Sequence, residues 1–227
     1  MEMLQKTGIS GSTLKLIAAV AMLIDHAGVI LFDNRRELRM IGRIAFPIFL
    51  FLLVEGFRYT RNRKKYILRL FFFSLLSEIP FNLMVTGEPW DLEFFHQNVL
   101  FTLLIAFVTL WTLESLEKSA ETQSVYYVCA MAVVFGGMYT AQVCRTDYAS
   151  YGVLAAVVMY VLRGNRTIAI LSGCLVLGSM GGLEWYCFLS VIPLLLYNGR
   201  RGFSFRYFFY VFYPLHLLVL YLLTKIG

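Results

Sequence analysis

Apolar runs long enough to cross a lipid bilayer follow one another along almost the whole chain. A membrane-spanning helix needs about 20 mostly apolar residues. The candidate segments cover residues 14–32, 39–57, 66–86, 97–116, 125–143, 148–163, 167–181, 184–198 and 207–224. The sixth, seventh and eighth are short and interrupted by glycine, so the expected number of helices is eight or nine. The pattern predicts an all-α, polytopic transmembrane bundle that forms a single domain over residues 1–227.

The composition supports a membrane protein. Hydrophobic residues make up 59% of the 227 residues and charged residues 15%, whereas soluble domains average about 45–50% and about 25%. These values exclude a disordered chain and an ordinary soluble globule. The cysteines lie in apolar stretches without C-x-x-C spacing, so we interpret them as buried apolar side chains, not as disulfides or metal ligands.

The basic residues predict how the chain is oriented in the membrane. Lysine and arginine are enriched in cytoplasmic loops. If nine segments alternate in direction, most of the basic residues share a side with the N-terminus, which we therefore expect to be cytoplasmic. A nucleic-acid partner is not expected, because these residues follow alternate loops and do not form one continuous face.

Several polar side chains lie inside the predicted spans, where ionisable groups are costly and by default indicate a functional site. They are Asp25, His26, Arg43, Glu55, Arg69, Glu78 and His216. At 1.5 Å per residue, His26 and Glu78 lie roughly 18 Å into their segments and His216 roughly 14 Å into the last one. We therefore expect a polar cluster near the middle of a layer about 30 Å thick.

A second charged cluster occupies the predicted cytoplasmic end of the second and third segments. It contains Glu55 and six basic residues, which we call the basic mouth: Arg58, Arg61, Arg63, Lys64, Lys65 and Arg69. The basic mouth is suited to a phosphorylated cytosolic ligand. It is also what a simple orientation signal would look like.

The mid-membrane groups have structural interpretations too. Asp25 and His26 could form a buried pair that satisfies itself. Arg43 and Glu78 could form an interhelical salt bridge. His216 could donate a hydrogen bond to a backbone carbonyl of a neighbouring helix.

The functional interpretation of the mid-membrane cluster is acyl transfer. The chain contains no G-x-S-x-G, P-loop or H-E-x-x-H motif. The spacing of its histidines, His26, His96 and His216, carries no signal for a metal site, and no metal is expected. A histidine oriented by a carboxylate is a suitable general base. Acyl transfer needs such a base and hydrogen-bond donors for the oxyanion, for which Arg43, Asn98 and Tyr213 are candidates.

Several stretches resemble a known family. They are residues 14–19, 22–26, 41–49, 54–63, 77–82, 98–102 and 213–216, together with Tyr66, Arg69 and Leu70. On these stretches the chain resembles the TraX family of integral membrane proteins, densely over residues 14–104 and again over 207–224. Residues 105–206 match in hydropathy alone. The chain is also loosely similar to multi-pass membrane acyltransferases, which move acetyl groups from cytosolic acetyl-CoA to an acceptor across the membrane.

The resemblance implies an activity and its participants. The named activity of the family is acetylation of the N-terminus of conjugative pilin in the bacterial inner membrane. It implies acetyl-CoA as the co-substrate, and we expect an amine or hydroxyl acceptor on a pilin, a peptide or a glycan. Two rivals remain: a proton-coupled transporter, and a non-catalytic assembly factor for conjugative pili or other surface appendages.

For this activity we assign an expected role to each candidate residue. His26 is the expected general base, with Asp25 orienting it or its neighbours, and His216 is the second candidate for the base. Arg43, Glu78 and Asn98 are expected to shape the site. The residues expected to bind the phosphates of CoA are Arg58, Arg61, Arg63, Lys65 and Arg69.

Overall fold

The structure is a computed structural model that describes residues 8–90, 96–203 and 208–226. Within these residues the secondary structure is helical, and β-pairing is limited to two isolated bridges. The prediction of an all-α bundle is therefore confirmed. The α-helices are α1 (Gly11–Ile30), α2 (Arg36–Gly42), α3 (Ala45–Tyr59), α4 (Arg63–Thr86), α5 (Val99–Ser119), α6 (Gln123–Val143), α7 (Ala149–Val161), α8 (Arg166–Gly178), α9 (Val191–Leu195) and α10 (Phe208–Leu223), with a 3₁₀ helix at Gly182–Ser190 before α9.

These helices make up the nine segments expected from the hydropathy pattern. Helices α2 and α3 together form the second segment, and the 3₁₀ helix and α9 form the eighth. Five segments in the described part of the chain are long and apolar enough to cross a membrane, and four are shorter. Helix α6 exposes large apolar side chains such as Phe135 and Tyr139 and buries only Ala141. So much exposed apolar surface fits a lipid environment, and the chain is a membrane protein.

Short polar side chains begin several of the helices. The side chain of Ser10 accepts a hydrogen bond from the Thr13 amide, and that of Asn62 accepts one from the Lys65 amide at 2.9 Å. Such caps satisfy amides that the first helical turn leaves unpaired. Helix α4 ends at Gly87, whose φ of 82° is the left-handed conformation that glycine adopts readily.

Successive segments alternate in direction, so their ends gather at two ends of the bundle. At the end where α1 begins, which we call the N-terminal end, Ile9 pairs with Tyr197. At the opposite end, which we call the far end, Gln97 pairs with Thr146. Lys15 lies over the ring of Phe209, so α1 and α10 start at the same end and run parallel. When segments alternate in direction, the first and the last run parallel only if their number is odd. The parallel arrangement of α1 and α10 therefore favours nine segments over eight.

The second segment is broken beside its arginine. A proline inside a helix removes one hydrogen bond and clashes with the carbonyl four residues earlier. Pro47 stands four residues after Arg43, and the chain turns at residues 43–44 between α2 and α3. Helix α3 then passes through the core, where Phe57 packs edge-on against Phe107 and Tyr160. The break leaves Arg43 at the boundary between this apolar core and a polar region near the far end.

Candidate active site

A cavity of about 80 Å³ lies next to this break. It has room for a few water molecules or a group the size of an acetyl, because a single water needs roughly 10–15 Å³ on this measure. Apolar side chains form much of its wall. The polar side chains lining it are Asp25, His26, Arg43, Asp147, Tyr148 and Tyr213.

Two histidines from the parallel helices α1 and α10 meet at this cavity. His26 Nδ1 lies 2.8 Å from His216 Nε2, and the two rings are stacked with their centroids 5.0 Å apart. His216 Nδ1 lies 2.9 Å from the carbonyl oxygen of Phe212. A carbonyl can only accept a hydrogen bond, so the hydrogen of a neutral His216 is on Nδ1 and its Nε2 is an acceptor. His26 Nδ1 must therefore donate to His216.

This chain of hydrogen bonds determines which nitrogen of His26 is basic. With its hydrogen on Nδ1, neutral His26 carries its lone pair on Nε2. If Nε2 takes up a proton, Nδ1 still donates to His216, so the contact suits both protonation states. His26 lines the cavity, whereas His216 lies behind it. The geometry is that of a base facing the cavity and a partner that holds its ring.

Asp25 does not hold His26. Its carboxylate accepts a short hydrogen bond from Arg43 Nη2 and lies 3.6 Å from Arg39 Nε. Asp25 and His26 are adjacent on a helix, and neighbouring residues on a helix point about 100° apart, so the two side chains have different partners. The idea that they form a self-satisfied pair is wrong. We expected Asp25 to orient either His26 itself or a neighbouring residue. Its contact is with Arg43, so Asp25 orients that neighbour.

Arg43 is held by two carboxylates. Its Nη1 donates to Glu184 Oε1 at 2.5 Å, and its Nη2 donates to Asp25. The proposed salt bridge between Arg43 and Glu78 is therefore wrong. Within the described residues, Arg43 Nε–H has no hydrogen-bond partner although it is buried. The two carboxylates fix the guanidinium plane and leave the Nε–H available to a bound group.

Gly42 allows Asp25 to approach the second segment closely. A Cβ atom at Gly42 would overlap the side chain of Asp25. The contact between α1 and α2 and the ion pair with Arg43 both depend on this missing side chain.

Glu78 and Asn98 form a separate structural unit. Asn98 caps α5 by accepting a hydrogen bond from the Leu100 amide at 3.0 Å, and its amide group donates to the Ser74 carbonyl at 2.9 Å. Glu78 accepts hydrogen bonds from the backbone and the side chain of Asn98. These two residues join α4 to the start of α5, and neither lines the cavity. Of the three oxyanion donors considered, Arg43 and Tyr213 line the cavity and Asn98 does not.

Asp147, Tyr148 and Glu184 are site residues that the sequence reasoning missed. Asp147 and Tyr148 lie in the short turn before α7, and Glu184 begins the eighth predicted segment. Burial raises the pKa of the Asp147 carboxyl, and the positive charge of Arg43 opposes this shift. The available signal is an acidic residue at the start of an apolar segment, which occurs at both the sixth and the eighth predicted segments.

The third histidine does not join the pair. His96 stacks on Phe81, with ring centroids 6.3 Å apart, at the far end of the bundle. In the part of the chain that the structure describes, no three His, Cys, Asp or Glu side chains are grouped so that they could hold a metal ion.

The basic mouth lies at the N-terminal end and is only partly free. Arg63 donates two hydrogen bonds to Glu114, and Arg58 pairs with Glu55 at 3.2 Å. Arg69 lies 5.7 Å from the ring centroid of Tyr66. The members that are exposed and, among the described residues, form no salt bridge are Arg61, Lys64 and Lys65.

The family model described as TraX protein matches residues 10–224. The chain belongs to the TraX family. A probable fimbrial assembly protein FimC, serogroup H1, from Dichelobacter nodosus is 32% identical to this TraX-family chain, over 93% of the chain and 94% of the relative. An uncharacterized protein, RP591, from Rickettsia prowazekii (strain Madrid E) is 34% identical over 32% of the chain and 29% of the relative. No solved structure matches the chain.

Proposed function

We propose that this TraX-family protein is a membrane-embedded acetyltransferase that moves an acetyl group from acetyl-CoA to an amine or hydroxyl. The observation that carries the proposal is the His26–His216 pair, which presents a basic nitrogen to a cavity beside Arg43. Membership of the TraX family supports it, since the named activity of that family is pilin acetylation.

In this proposal His26 acts as the general base. Its Nε2 takes the proton from the acceptor nitrogen or oxygen as that atom forms a bond to the acetyl carbonyl carbon. His216 holds the ring through Nδ1 while the positive charge develops. His26 then returns the proton to the sulfur of CoA as the carbon–sulfur bond breaks. Proton transfer by a positioned residue contributes typically 10²–10⁴-fold.

Arg43 and the two tyrosines of the cavity are the proposed oxyanion donors. The Nε–H of Arg43 is not used by another described residue, and Tyr148 and Tyr213 line the same cavity. Removing one donor of this kind costs about 10²–10³ in rate in other acyl-transfer enzymes. Asp25 and Glu184 act on the guanidinium by fixing its orientation.

The donor substrate extends beyond the cavity. A space of about 80 Å³ suits the acetyl group and its sulfur but not the nucleotide part of CoA. The exposed basic residues at the N-terminal end, Arg61, Lys64 and Lys65, are suited to its phosphates. Arg63 and Arg58 are less suited, because carboxylates already neutralise them. The residues that we expected from the sequence to bind CoA therefore differ: some are exposed and available to phosphates, and others are already paired with carboxylates.

The name of a relative guides the choice of the first acceptor to test. The Dichelobacter nodosus protein is named as a fimbrial assembly protein, so a pilus subunit is the first acceptor to test, with other peptides and glycans after it. We place the protein in the bacterial cytoplasmic membrane, with the N-terminal end on the cytosolic side where acetyl-CoA is available.

The decisive experiment uses the purified protein in lipid nanodiscs with labelled acetyl-CoA and a peptide that carries the N-terminus of a pilin. We expect labelled peptide from the wild type and a loss of at least about a hundredfold in His26→Ala. The control is Phe135→Ala, which removes an exposed ring from α6 that does not line the cavity and should keep most of the activity.

A second pair of variants tests the histidine contact. A hydrogen bond to a charged group is worth about 1.5–3 kcal/mol, which corresponds to about a ten- to hundredfold loss of rate for His216→Leu. His216→Gln keeps an acceptor atom and should recover part of that loss. Full activity in His26→Ala would exclude the assignment of the base. Proton-coupled uptake into liposomes without turnover of acetyl-CoA would indicate a transporter, and a pilus defect without any turnover would indicate an assembly factor.

A further inference from the structure

Asp147 is brought to the cavity by two loops that hold each other at the far end. The amide of Asp147 donates to the carbonyl of Gln97 at 2.9 Å, and the amide of Gln97 donates to the carbonyl of Arg145 at 3.0 Å. The hydroxyl of Thr102 also donates to the carbonyl of Asp147. The backbone on which Asp147 stands is therefore fixed from two directions.

The turn around Asp147 adopts an unfavourable backbone conformation. Arg145, Tyr148 and Ala149 have φ values of 48°, 61° and 39°. Such conformations cost on the order of 1–3 kcal/mol each for residues other than glycine and persist where the surrounding structure enforces them. Tyr148 is held by stacking on Phe46, with ring centroids 3.8 Å apart. The result is a carboxylate placed firmly in the cavity wall.

The charges around the cavity do not balance without a ligand. Asp25 and Glu184 are matched by Arg43 and Arg39, two carboxylates against two guanidinium groups. Asp147 is additional: none of the salt bridges among the described residues includes it, and its Oδ1 accepts a hydrogen bond from the Tyr148 amide at 3.1 Å. That amide and the N-terminus of α7 favour the charged carboxylate. With Asp147 ionised, the cavity has one surplus negative charge, and burial, which raises the pKa of this carboxyl, makes that charge costly until a cation binds beside it.

We infer that Asp147 is a specificity-determining residue that binds the acceptor as a protonated amine, an inference that rests on the proposed acetyltransferase function. An α-amino group has a pKa of about 7.7–8.0, so near neutral pH it arrives mostly as an ammonium group. The surplus charge of Asp147 matches that cation. A neutral hydroxyl acceptor carries no positive charge that could pair with Asp147.

The proton balance of the reaction provides a second argument for this role of Asp147. When an ammonium group becomes an acetamide, its nitrogen loses two protons: one goes to the sulfur of the departing CoA and one leaves the site. His26 can carry the first proton from the nitrogen to the sulfur. Asp147 takes the other proton before the attack and releases it to water at the far end. A hydroxyl acceptor loses one proton, for which His26 is sufficient.

Other ionisable groups face Asp147 from several elements of the fold. They are Arg43 before α3, His96 before α5, Glu184 in the 3₁₀ helix, Tyr148 before α7 and Tyr213 in α10. Arg43 is already engaged by two carboxylates. The pH experiment below therefore compares variants at the same pH values. The titration of these groups is common to all the variants, so its effect on KM cancels in the comparison.

The test measures the KM for the amine peptide between pH 6.8 and pH 8.8 in the full-length protein. For the wild type, which binds the ammonium form, we expect a KM, counted on total peptide, that is lowest at pH 6.8 and rises by up to about tenfold at pH 8.8, where about a tenth of the amine is still protonated. Asp147→Asn should bind only the neutral amine, so its KM should rise about tenfold at pH 6.8, where about a tenth of the amine is neutral. At pH 8.8 it should approach the wild-type value. The matched control is Asp33→Asn, in an exposed turn at the same end.

A second measurement uses only the wild type and does not depend on how the variant folds. A peptide with a trimethylated N-terminus keeps the positive charge and cannot be acetylated. We expect it to inhibit at least about tenfold more strongly than the isosteric neutral peptide with carbon in place of that nitrogen. Equal inhibition by the two, or the same pH dependence of KM in Asp147→Asn and the wild type, would overturn the role of Asp147. A wild type that transfers no acetyl group at any pH would overturn the proposed function itself.

Discussion

The two charged clusters of this protein are built in opposite ways. The polar groups near the far end are buried and contact each other across four segments, so that Asp25, Arg43 and Glu184 come from separate parts of the chain. The basic mouth at the N-terminal end is contributed largely by one stretch of sequence, and half of its members are exposed without a salt bridge. One cluster is made by tertiary contacts, and the other is already present in the sequence.

This difference determines what each cluster can do. A buried charge needs a partner, so every charged group at the cavity either has one or is available for a ligand. An exposed charge needs none, so the basic mouth can attract a phosphorylated substrate or only orient the chain. Substitutions should therefore have large, specific effects at the cavity and small, salt-dependent effects at the mouth.

The largest contrast is expected between Arg43→Ala and Arg58→Ala. Removing Arg43 leaves Asp25 and Glu184 as unpaired buried charges, which should lower the free energy of unfolding by about 3–5 kcal/mol. Arg58 forms an exposed i,i+3 pair with Glu55, and its loss should cost only about 0.2–1 kcal/mol. Unfolding by sodium dodecyl sulfate in mixed micelles measures both. Equal losses in the two variants would contradict the proposed difference between the clusters.

The second contrast compares two helical glycines. In Gly42→Ala the new methyl group overlaps the side chain of Asp25, and such overpacking costs about 1–3 kcal/mol. It should also reduce acetyl transfer, because Asp25 positions Arg43. In Gly136→Ala the methyl group meets open space, and alanine in a helix should stabilise by about 0.5–1 kcal/mol. The same unfolding assay applies. An unchanged free energy of unfolding in Gly42→Ala would show that the ion pair tolerates a larger separation between α1 and α2.

The smallest effects are expected within the basic mouth. Arg61→Ala, Lys64→Ala and Lys65→Ala should each raise the KM for acetyl-CoA about two- to fivefold at low salt and leave kcat unchanged. These effects should fade at high ionic strength, where exposed charges are screened. Arg63→Ala is the comparison, because it breaks the pair with Glu114 and should instead reduce stability. An unchanged KM in all three exposed variants would make the mouth an orientation signal alone.

Much of the fold could be predicted from the order of apolar and polar residues. The nine segments appear within a few residues of their expected bounds, because a helix that must satisfy its own backbone in lipid is encoded locally by about 20 apolar residues. His26, Arg43 and His216 could also be picked out as candidates from the sequence, since charged and imidazole groups inside apolar runs are conspicuous. Asp147 could not, because it lies in a turn where an aspartate is ordinary.

The sequence by itself determined that the chain forms a helical membrane bundle and which polar side chains lie at membrane depth. Only the tertiary structure decided their partners. Asp25 pairs with Arg43 and not with the adjacent His26, and Glu78 pairs with Asn98 and not with Arg43. The physical reason is that a position along a helix sets the depth of a side chain, whereas the packing of neighbouring helices sets which groups at that depth face each other. The cavity and its unbalanced carboxylate exist only because five separate elements converge there.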